Sequence, residues 1–325
     1  MRVFIDGFGR IGRTILRAWA RHPERWPGLE IAGINDIAAP GICAYLFEYD
    51  SVFGPWQGSV ALEGSTLVLD GRAIPFHRTP DLSSLDLGNI DLVLECTGRA
   101  GTREVAERGL RAGAGRVLIS GPSDAADLTV VLGANDDQLG DQPIVSNASC
   151  TTNALAPLAR LIHDRWGIVT GSMTTVHCYT GSQPTVDTPA GDFARSRAAA
   201  LSMVPTTTSA SRLVDHVLPA IAGRLQGFAV RVPTASVSCV DLALITETRV
   251  EAGQVNAALR AAGGVIGVTD RPLVSTDLRG RPESIVMAMP ETRVTPQGLV
   301  RVFGWYDNEW GFSNRMLDMA ARMGR

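Results

Sequence analysis

The chain has 325 residues, of which 45% are hydrophobic and 19% charged, and its formal net charge is −3. A chain of this length is expected to form about two domains. The small negative charge, without a long basic run, disfavours a nucleic-acid partner. No apolar stretch approaches the roughly 18 residues that cross a membrane, and Asp6 comes too early for a signal peptide. We therefore expect a cytoplasmic protein.

The first strand and helix of the chain enclose a glycine-rich turn. Val3 to Ile5 is a short apolar run that leads into Gly7-Phe8-Gly9-Arg10-Ile11-Gly12, and a helical pattern follows. The glycines of a G-x-G-x-x-G turn permit a tight reversal, close approach of a pyrophosphate and close helix–strand packing. The spacing and its position therefore indicate a dinucleotide-binding unit.

The second predicted strand, Glu30 to Ile34, ends at Asn35 and Asp36. An acidic residue at this place accepts hydrogen bonds from the adenosine ribose hydroxyls and repels a 2′-phosphate, which favours NAD over NADP. The alternative is that Asp36 is an ordinary carboxylate in a strand-end turn.

The first half of the chain continues as strands that alternate with helices. A helix is predicted from Arg103 to Ala112, and the further strands are Leu92 to Glu95, Arg116 to Ser120 and Leu128 to Leu132. This alternation predicts a doubly wound, mostly parallel sheet.

Ser146 to Asn153 reads S-N-A-S-C-T-T-N and places Cys150 just before a helix predicted from Thr151 to Arg165. The partial positive charge at a helix N-terminus stabilises a thiolate and lowers the pKa of the thiol. Further along, His177 ends a β-branched run, T-T-V-H. A cysteine at a helix start and a histidine at a strand end are the components of an activated thiol nucleophile. For an isolated pair, core packing is the alternative.

The five cysteines are odd in number, far apart and without a C-x-x-C pair: Cys43, Cys96, Cys150, Cys178 and Cys239. This pattern disfavours a disulfide framework or a metal site and favours a reducing compartment. All 30 basic residues are arginine. Anions must therefore be bound by guanidinium groups, hydroxyls or backbone amides, and Schiff-base chemistry on a lysine is excluded.

The second half of the chain has a different pattern. A long strand is predicted from Ile168 to His177, and an irregular segment follows from Thr180 to Met203. Loops of that length are usually functional. The strand runs Leu225 to Val232 and Ser236 to Thr246 lie close together and predict an α+β unit with a mostly antiparallel sheet. The last predicted elements are a strand, Val300 to Asn308, and a helix, Ser313 to Arg322, with Ser313 as its N-cap.

With these pieces placed, the chain resembles the phosphorylating glyceraldehyde-3-phosphate dehydrogenase family over nearly its whole length. The matching motifs are D-G-F-G-R-I-G-R at Asp6 to Arg13, Y-D-S-V at Tyr49 to Val52, S-N-A-S-C-T-T-N at Ser146 to Asn153, T-T-V-H-C-Y-T at Thr174 to Thr180, R-V-P at Arg231 to Pro233 and W-Y-D-N-E-W-G at Trp305 to Gly311. The resemblance implies an N-terminal Rossmann NAD-binding domain, residues 1–149 with the C-terminal helix 313–325. It also implies an α+β catalytic domain, residues 150–312.

The resemblance implies a reaction as well. Cys150 attacks the aldehyde of D-glyceraldehyde 3-phosphate, and His177 takes the hydroxyl proton of the thiohemiacetal as hydride leaves for NAD. Inorganic phosphate then cleaves the thioester to 1,3-bisphosphoglycerate. The residues implied for the substrate phosphate are Thr180, Ser182 and Arg231, and those for the attacking phosphate are Ser149, Thr151, Arg197, Thr208 and Ser209.

The family also implies cofactor contacts and an oligomer. The implied NAD-binding residues are Gly7, Gly9, Arg10, Ile11, Gly12, Asp36, Arg78, Ser120 and Asn308. A homotetramer is implied, in which the Thr180–Met203 segment lines the cofactor site of a neighbouring subunit.

Several positions depart from the family pattern. Asp6 stands where Asn is usual, and a carboxylate beside a pyrophosphate turn should weaken cofactor binding unless Arg10 or Arg13 neutralises it. Ser209 replaces a usual Gly at the attacking-phosphate site. The other departures are Ala154, Pro184, Phe312 and the shortened region Ser284 to Thr292. Together they suggest a paralogue with altered cofactor affinity or substrate.

Three alternatives to the implied reaction remain open. One is erythrose-4-phosphate dehydrogenase, which Thr180 and the pair Cys178 and Tyr179 disfavour. Another is the same reaction with arsenate in place of phosphate, which the sequence cannot distinguish from the reaction with phosphate. The third is a binding protein that has lost catalysis, which the intact Cys150 and His177 disfavour.

Overall fold

The computed structural model describes residues 1–324, and its contacts divide the chain into two compact units. The first unit comprises residues 1–130, 137–148 and those from 313 onwards, and the second comprises residues 131–136 and 149–312. The predicted domain boundary lies after residue 149, whereas the contacts place residues 131–136 and Ser149 in the second unit.

The first unit is built on a nine-stranded sheet in the order β3-β4-β5-β2-β1-β6-β7-β9-β8. Among the described residues of this sheet, only the β3–β4 and β4–β5 pairs are antiparallel. The central strand β1 lies between β2 and β6, at the point where the strand order reverses, and ligands of doubly wound sheets bind at the carboxyl ends there. The strands are β1 (Arg2–Asp6), β2 (Glu30–Asn35), β3 (Val60–Glu63), β4 (Thr66–Leu69), β5 (Arg72–His77), β6 (Leu92–Glu95), β7 (Arg116–Ile119), β8 (Leu128–Thr129) and β9 (Ile144–Ser146).

Helices flank this sheet, and two predicted elements are shorter than expected. The predicted helix Arg103 to Ala112 is two short helices, because Glu107, at ψ −5°, interrupts the helical backbone. The predicted strand Leu128 to Leu132 ends at Thr129, since the chain turns at Val131, whose carbonyl accepts from the amides of Ala134 and Asn135. The helices before residue 149 are α1 (Arg10–Arg21), α2 (Pro40–Glu48), α3 (Arg103–Ala106) and α4 (Arg108–Arg111).

The second unit contains an eight-stranded sheet in the order β11-β12-β10-β13-β17-β15-β14, with β16 paired to β17. Five of its seven strand pairs are antiparallel, and β10–β12 and β14–β15 are parallel. The predicted mostly antiparallel sheet is therefore confirmed. The strands are β10 (Ile168–Cys178), β11 (Val204–Thr206), β12 (Leu225–Val232), β13 (Ser238–Thr246), β14 (Ile266–Thr269), β15 (Ile285–Ala288), β16 (Arg293–Val294) and β17 (Leu299–Tyr306).

Helix α5 (Cys150–Trp166) packs on this sheet, where it contacts β10, β13 and β15. Its apolar residues Leu155, Leu158 and Ile162 are buried. The remaining helices of the unit are α6 (Ala210–Val217) and α7 (Ala252–Ala262). The segment Thr180 to Met203 is irregular as predicted, apart from a single 3-10 turn.

The C-terminal helix α8 (Trp310–Met323) begins before the predicted residue. Ser313 lies inside the helix, so the predicted N-cap at Ser313 is wrong. The Asp307 carboxylate accepts from the backbone amides of Glu309 (3.0 Å) and Trp310 (2.8 Å) and so satisfies two backbone donors at the start of the helix.

The later part of α8 belongs to the first unit. Arg25 donates to Asn314 at 2.6 Å, and the Trp26 indole donates to Asp318 at 2.7 Å. The helix is therefore fixed to the segment that follows α1. The predicted NAD-binding domain included residues 313–325, and of these Arg325 lies outside the described residues.

Candidate active site

A crevice opens at the carboxyl ends of β1, β2 and β6, and the glycine-rich turn forms part of its wall. Gly7 has a φ of +92°, and a Cβ there would lie 2.6 Å from the Thr97 amide nitrogen. A Cβ on Gly12 would lie 2.1 Å from the Gly7 carbonyl oxygen. Gly9 has no atom within 4 Å of where its Cβ would be, so the turn is open on that side. These features fit the close approach of a pyrophosphate.

Asp36 lines the same crevice at the end of β2, and its carboxylate is held by the backbone. One oxygen accepts from the Phe8 amide at 2.6 Å, and the other accepts from the Ala38 amide at 2.8 Å. Carboxylate oxygens have further lone pairs, so a ribose hydroxyl can still donate to them.

The other residues predicted to bind the cofactor in this unit already have protein partners. Arg10, the first residue of α1, forms an ion pair with Asp50. Arg78 donates to the Ile37 carbonyl at 3.0 Å. The Ser120 amide donates to the Glu95 carbonyl at 2.9 Å. Sequence reasoning missed Asp50, although Y-D-S-V contains it.

The sequence analysis left open whether Arg10 or Arg13 neutralises Asp6, and the partner of this carboxyl in the structure is Asn35. Arg13 donates to the Phe8 carbonyl at 2.8 Å, whereas Asp6 accepts from the Asn35 side-chain amide at 2.7 Å. Burial raises the pKa of Asp6, and the Asn35 hydrogen bond opposes that effect. The carboxyl beside the glycine-rich turn is therefore held by an amide.

In the second unit, Cys150 is the first residue of α5 and Ser149 is its N-cap. The Ser149 hydroxyl accepts from the Thr152 amide at 3.0 Å, which fixes the start of the helix. Cys150 Sγ lies 3.7 Å from His177 Nε2. The predicted cysteine–histidine pair is therefore in contact.

His177 is oriented by the backbone and by Arg231. Its Nδ1 lies 2.7 Å from the Cys178 carbonyl oxygen and 2.9 Å from Arg231 Nη1, and that Nη1 donates to the same carbonyl at 3.0 Å. A carbonyl only accepts and a guanidinium only donates, so Nδ1 serves the Cys178 contact when it is protonated and the Arg231 contact when it is not. The tautomer with the proton on Nδ1 leaves the lone pair on Nε2, where it faces the sulfur.

The electrostatics of this pair differ from the sequence prediction. Burial raises the pKa of the Cys150 thiol, and the hydrogen bonds from Thr151 and the charge of Arg231 oppose that effect only in part. The predicted lowering of this pKa is therefore wrong for the free site. Burial, followed by the positive charge of Arg231, lowers the pKa of His177 to about 4. The free site consequently favours a neutral thiol beside a neutral imidazole.

Tyr306 is a residue that sequence reasoning missed. Its hydroxyl hydrogen-bonds to the hydroxyls of Thr151 and Thr175, both at 2.8 Å. Its ring stands edge-on to His177, with the ring centroids 6.0 Å apart. Tyr306 thus connects the first turn of α5 to β10. The sequence could have indicated this residue through its position in the motif W-Y-D-N-E-W-G.

The remaining predicted residues of this unit are placed as follows. Thr180 and Ser182 hydroxyls are 2.9 Å apart. The Thr208 hydroxyl accepts from the Ala210 amide at 3.1 Å, and Ser209 directly precedes α6. Arg197 forms an exposed ion pair with Asp187 at 2.8 Å.

Asn308 contacts the chain beside His177. Its side-chain oxygen lies 3.2 Å from the Cys178 sulfur, which donates to it.

All five cysteines are free thiols. Within residues 1–324 there is no cluster of three or more His, Cys, Asp or Glu side chains that could hold a metal. No helix among the described residues is both long and apolar enough to cross a membrane.

A doubly wound sheet with a pyrophosphate-type turn, combined in one chain with a cysteine–histidine pair, defines the class of nicotinamide-dependent oxidoreductases with a thiol nucleophile. Comparison with known proteins narrows that class. Residues 1–103 match the family described as glyceraldehyde 3-phosphate dehydrogenase, NAD binding domain. Residues 149–308 match the corresponding C-terminal domain family.

Whole-chain relatives agree with these matches. The glyceraldehyde-3-phosphate dehydrogenase of Xanthobacter flavus is 46% identical over 100% of this chain and 99% of its own length. That of Geobacillus stearothermophilus is 43% identical over 99% and 97%, and that of Pseudomonas aeruginosa is 45% identical over 98% and 97%. The chain belongs to the glyceraldehyde-3-phosphate dehydrogenase family.

Proposed function

We propose that this chain catalyses the NAD-dependent oxidative phosphorylation of D-glyceraldehyde 3-phosphate to 1,3-bisphosphoglycerate. The observation that carries the proposal is the 3.7 Å contact between Cys150 Sγ and His177 Nε2 at the start of α5. Membership of the family supplies the substrate class, and the neutral imidazole facing the sulfur supplies a base where the chemistry needs one.

In the proposed reaction, Cys150 Sγ bonds to the aldehyde carbon and its thiol proton passes to the lone pair on His177 Nε2. The imidazolium returns that proton to the former carbonyl oxygen, which becomes the hydroxyl of a thiohemiacetal. His177 then takes the hydroxyl proton as the carbon is oxidised to a thioester. A phosphate oxygen next attacks the thioester carbon, the C–S bond breaks, and the sulfur regains a proton.

NAD accepts the hydride when bound. The residues proposed to hold it are the glycine-rich turn, namely Gly7, Gly9, Arg10, Ile11 and Gly12, together with Asp36, Arg78, Ser120 and Asn308. The open space at Gly9 and the free lone pairs of Asp36 support the pyrophosphate and ribose positions respectively.

Two anion sites are proposed around the sulfur. Arg231 would bind the substrate phosphate with Thr180 and Ser182, whose hydroxyls are already neighbours. Arg197 would bind the attacking phosphate with Ser149, Thr151, Thr208 and Ser209. The exposed Arg197–Asp187 ion pair is worth at most about 1 kcal/mol and can open to free the guanidinium.

We further propose a cytoplasmic homotetramer. The irregular segment from Thr180 to Met203 supports this assembly, because Phe193 is 98% exposed and Leu201 84% exposed. Exposed large apolar side chains on one segment are typical of a surface that contacts another chain. Sedimentation velocity at several protein concentrations tests the assembly.

Steady-state NADH formation tests the reaction. Glyceraldehyde 3-phosphate and erythrose 4-phosphate are each compared with phosphate and with arsenate, and we expect the highest kcat/KM with glyceraldehyde 3-phosphate and phosphate. A preference for erythrose 4-phosphate or for arsenate would identify the corresponding alternative. No turnover on any combination, with NAD still bound, would indicate a binding protein.

The nucleophile is tested with Cys150→Ser and a matched control, Cys239→Ser. Cys239 is buried in β13 of the same unit and burial raises its pKa to about 11, so it should be inert. We expect Cys150→Ser to lower kcat by more than about 10³-fold while NAD binding persists. The control should retain turnover. Activity in Cys150→Ser would refute the assignment.

A further inference from the structure

Three polar side chains form a row across the carboxyl ends of three neighbouring strands. Asn35 ends β2, Asp6 ends β1 and Glu95 ends β6, and Asp6 is the register partner of both others. Register partners in a parallel sheet lie about 4.8 Å apart and project to the same face. The Asn35–Asp6 hydrogen bond of 2.7 Å shows that these two side chains share a face. Two carboxyl groups are therefore adjacent beneath the dinucleotide crevice.

Asp6 is 6% exposed and lines that crevice. One of its oxygens accepts from Asn35, whose amide also donates to the Thr79 carbonyl at 3.1 Å and accepts from the Thr79 amide at 2.9 Å. The Asn35 amide is therefore fixed in one orientation. It provides Asp6 with a hydrogen bond but with no positive charge.

Glu95 is 4% exposed, and its two oxygens differ. Oε1 accepts from the amide of Thr97 at 3.1 Å and from the hydroxyl of the same residue. Oε2 is fully buried and has no hydrogen-bond partner among residues 1–324. A buried carboxylate oxygen without a partner loses its hydration and makes no hydrogen bond to replace it, which favours the protonated form.

The charges that surround the pair do not neutralise it. Asp36 at the end of β2 and Asp81 on the loop after β5 add negative charge around Asp6. Arg108 on α4 is the opposing cation for both carboxyls, and its guanidinium lies 3.5 Å from Asp81, with which it forms an ion pair. Burial raises the pKa of the adjacent Cys96 thiol, so it stays neutral and adds no negative charge to the pair.

Burial and nearby negative charge accordingly raise the pKa of both groups. The pKa of Asp6 is raised, chiefly by burial, and the pKa of Glu95 is raised to about 7 by burial and by the neighbouring Asp6. Adjacent carboxyls influence each other's titration, so Asp6 and Glu95 are considered together. With the pKa of Glu95 at about 7, the pair takes up or releases a proton near neutral pH.

We propose that Asp6 and Glu95 form a proton-holding carboxyl pair that determines how strongly the neighbouring crevice binds a dinucleotide and makes that affinity depend on pH. The inference rests on the proposed function, because it assumes that the crevice receives the NAD pyrophosphate. Asp6 directly precedes Gly7 in the glycine-rich turn, so an anion bound there meets the charge of the ionised pair. Binding the anion favours the protonated pair, and the complex therefore takes up a proton.

The test is isothermal titration calorimetry of the whole protein with ADP-ribose and with NAD. ADP-ribose keeps the pyrophosphate but lacks the nicotinamide, so ionisation of the Cys150 thiol does not enter. Between about pH 6 and about pH 8.5 we expect the dissociation constant of ADP-ribose to rise by roughly tenfold. At about pH 7, titrations in two buffers of different ionisation enthalpy should show net proton uptake on binding.

Two variants locate the effect, and a third is the control. Glu95→Gln removes the group that titrates near neutral pH and keeps a side-chain carbonyl for the existing hydrogen bonds, so we expect it to bind ADP-ribose about equally at both pH values. Asp6→Asn removes the neighbouring charge, and we expect a smaller pH dependence, because burial still raises the pKa of Glu95. Asp86→Asn removes an exposed carboxylate that only accepts from the Gly88 amide at 3.1 Å, and its pH dependence should match the unaltered protein.

The outcomes separate this inference from the proposed function. Absence of NAD and ADP-ribose binding at every pH would refute the cofactor site itself. Binding without a pH dependence and without proton uptake would leave the cofactor site intact and overturn the carboxyl pair. A pH dependence retained in full in Glu95→Gln would also overturn it. The proton count on the unaltered protein decides the matter even where a variant folds poorly.

Discussion

Arg231 and His177 are register partners on the parallel strands β12 and β10, and Arg231 Nη1 lies 2.9 Å from His177 Nδ1. The pairing places a permanent positive charge beside the imidazole. Burial is the main reason that the pKa of His177 is lowered, and the guanidinium adds to it while also lowering the pKa of the Cys150 thiol. One arginine therefore shifts the pKa values of both reacting groups downward.

Removing that charge should make the thiol less reactive. In Arg231→Gln we expect the pKa of Cys150 to rise, so a smaller fraction of the thiol is ionised at neutral pH. A rise of about one in this pKa slows alkylation by uncharged iodoacetamide by up to about tenfold. The measurement is the alkylation rate across a pH series. Because iodoacetamide carries no charge, loss of an anion site cannot explain the change.

Arg224→Gln is the matched control, since Arg224 lies in the same unit and pairs with Glu247 at 3.1 Å. Its alkylation profile should follow that of the unaltered protein. An Arg231→Gln profile that coincides with it would contradict the role of the guanidinium. A rate plateau extending below neutral pH in the unaltered protein would contradict the neutral thiol–imidazole pair.

His177 should remain neutral over the whole physiological range. Its pKa is lowered to about 4, and a histidine with a lowered pKa is protonated only below that value. In an NMR titration of the free protein, its imidazole carbon-bound proton should hold a constant chemical shift from about pH 5.5 to about pH 8. The signal is assigned by its absence in His177→Asn, which should also lower kcat by about 10² to 10⁴. A midpoint near 6.5 would contradict this environment.

The sequence was sufficient for the features that are local in the chain. The glycine spacing from Gly7 to Gly12 identified the turn, and S-N-A-S-C-T-T-N placed Cys150 at a helix start. The pKa of Cys150 was predicted in the wrong direction, because helix position is visible in a sequence while burial of the sulfur is not. The N-cap at Ser313 failed for a related reason, since Asp307 competes for the same helix start.

Features that depend on distant pairing could not be derived from residue patterns. The Tyr306 hydroxyl meets Thr151 across 155 positions of the chain, and Arg231 meets His177 across 54. The Asp6–Glu95 pair likewise depends on β6 adding beside β1. The charge of Asp6 was visible in the sequence, but its partner Asn35 and its neighbour Glu95 were not.

Cofactor choice should follow the charge of Asp36. Its carboxylate is held by the amides of Phe8 and Ala38 within the crevice, so a 2′-phosphate would approach a fixed negative charge. A repulsion of about 2 to 3 kcal/mol corresponds to a preference for NAD over NADP of roughly 100-fold in kcat/KM. Asp36→Asn keeps an acceptor for one amide and should reduce that ratio by at least about tenfold. An NADP preference in the unaltered protein would mean that Asp36 does not face the ribose.

The buried Glu95 should make the free protein less stable as pH rises. Its pKa is 4.5 in ordinary surroundings and about 7 in the fold. Between these values the folded chain keeps a proton that the unfolded chain has released, so the free energy of unfolding decreases with pH and then levels above about 7. The difference between the two pKa values sets an upper limit of roughly 3 kcal/mol on this loss. Because Glu95→Gln cannot ionise, its free energy of unfolding should decrease less with pH than that of the unaltered protein. The measurement is urea unfolding at pH values on either side of this window, at one protein concentration. An equal decrease in Glu95→Gln and in the Asp86→Asn control would assign the pH dependence to other groups.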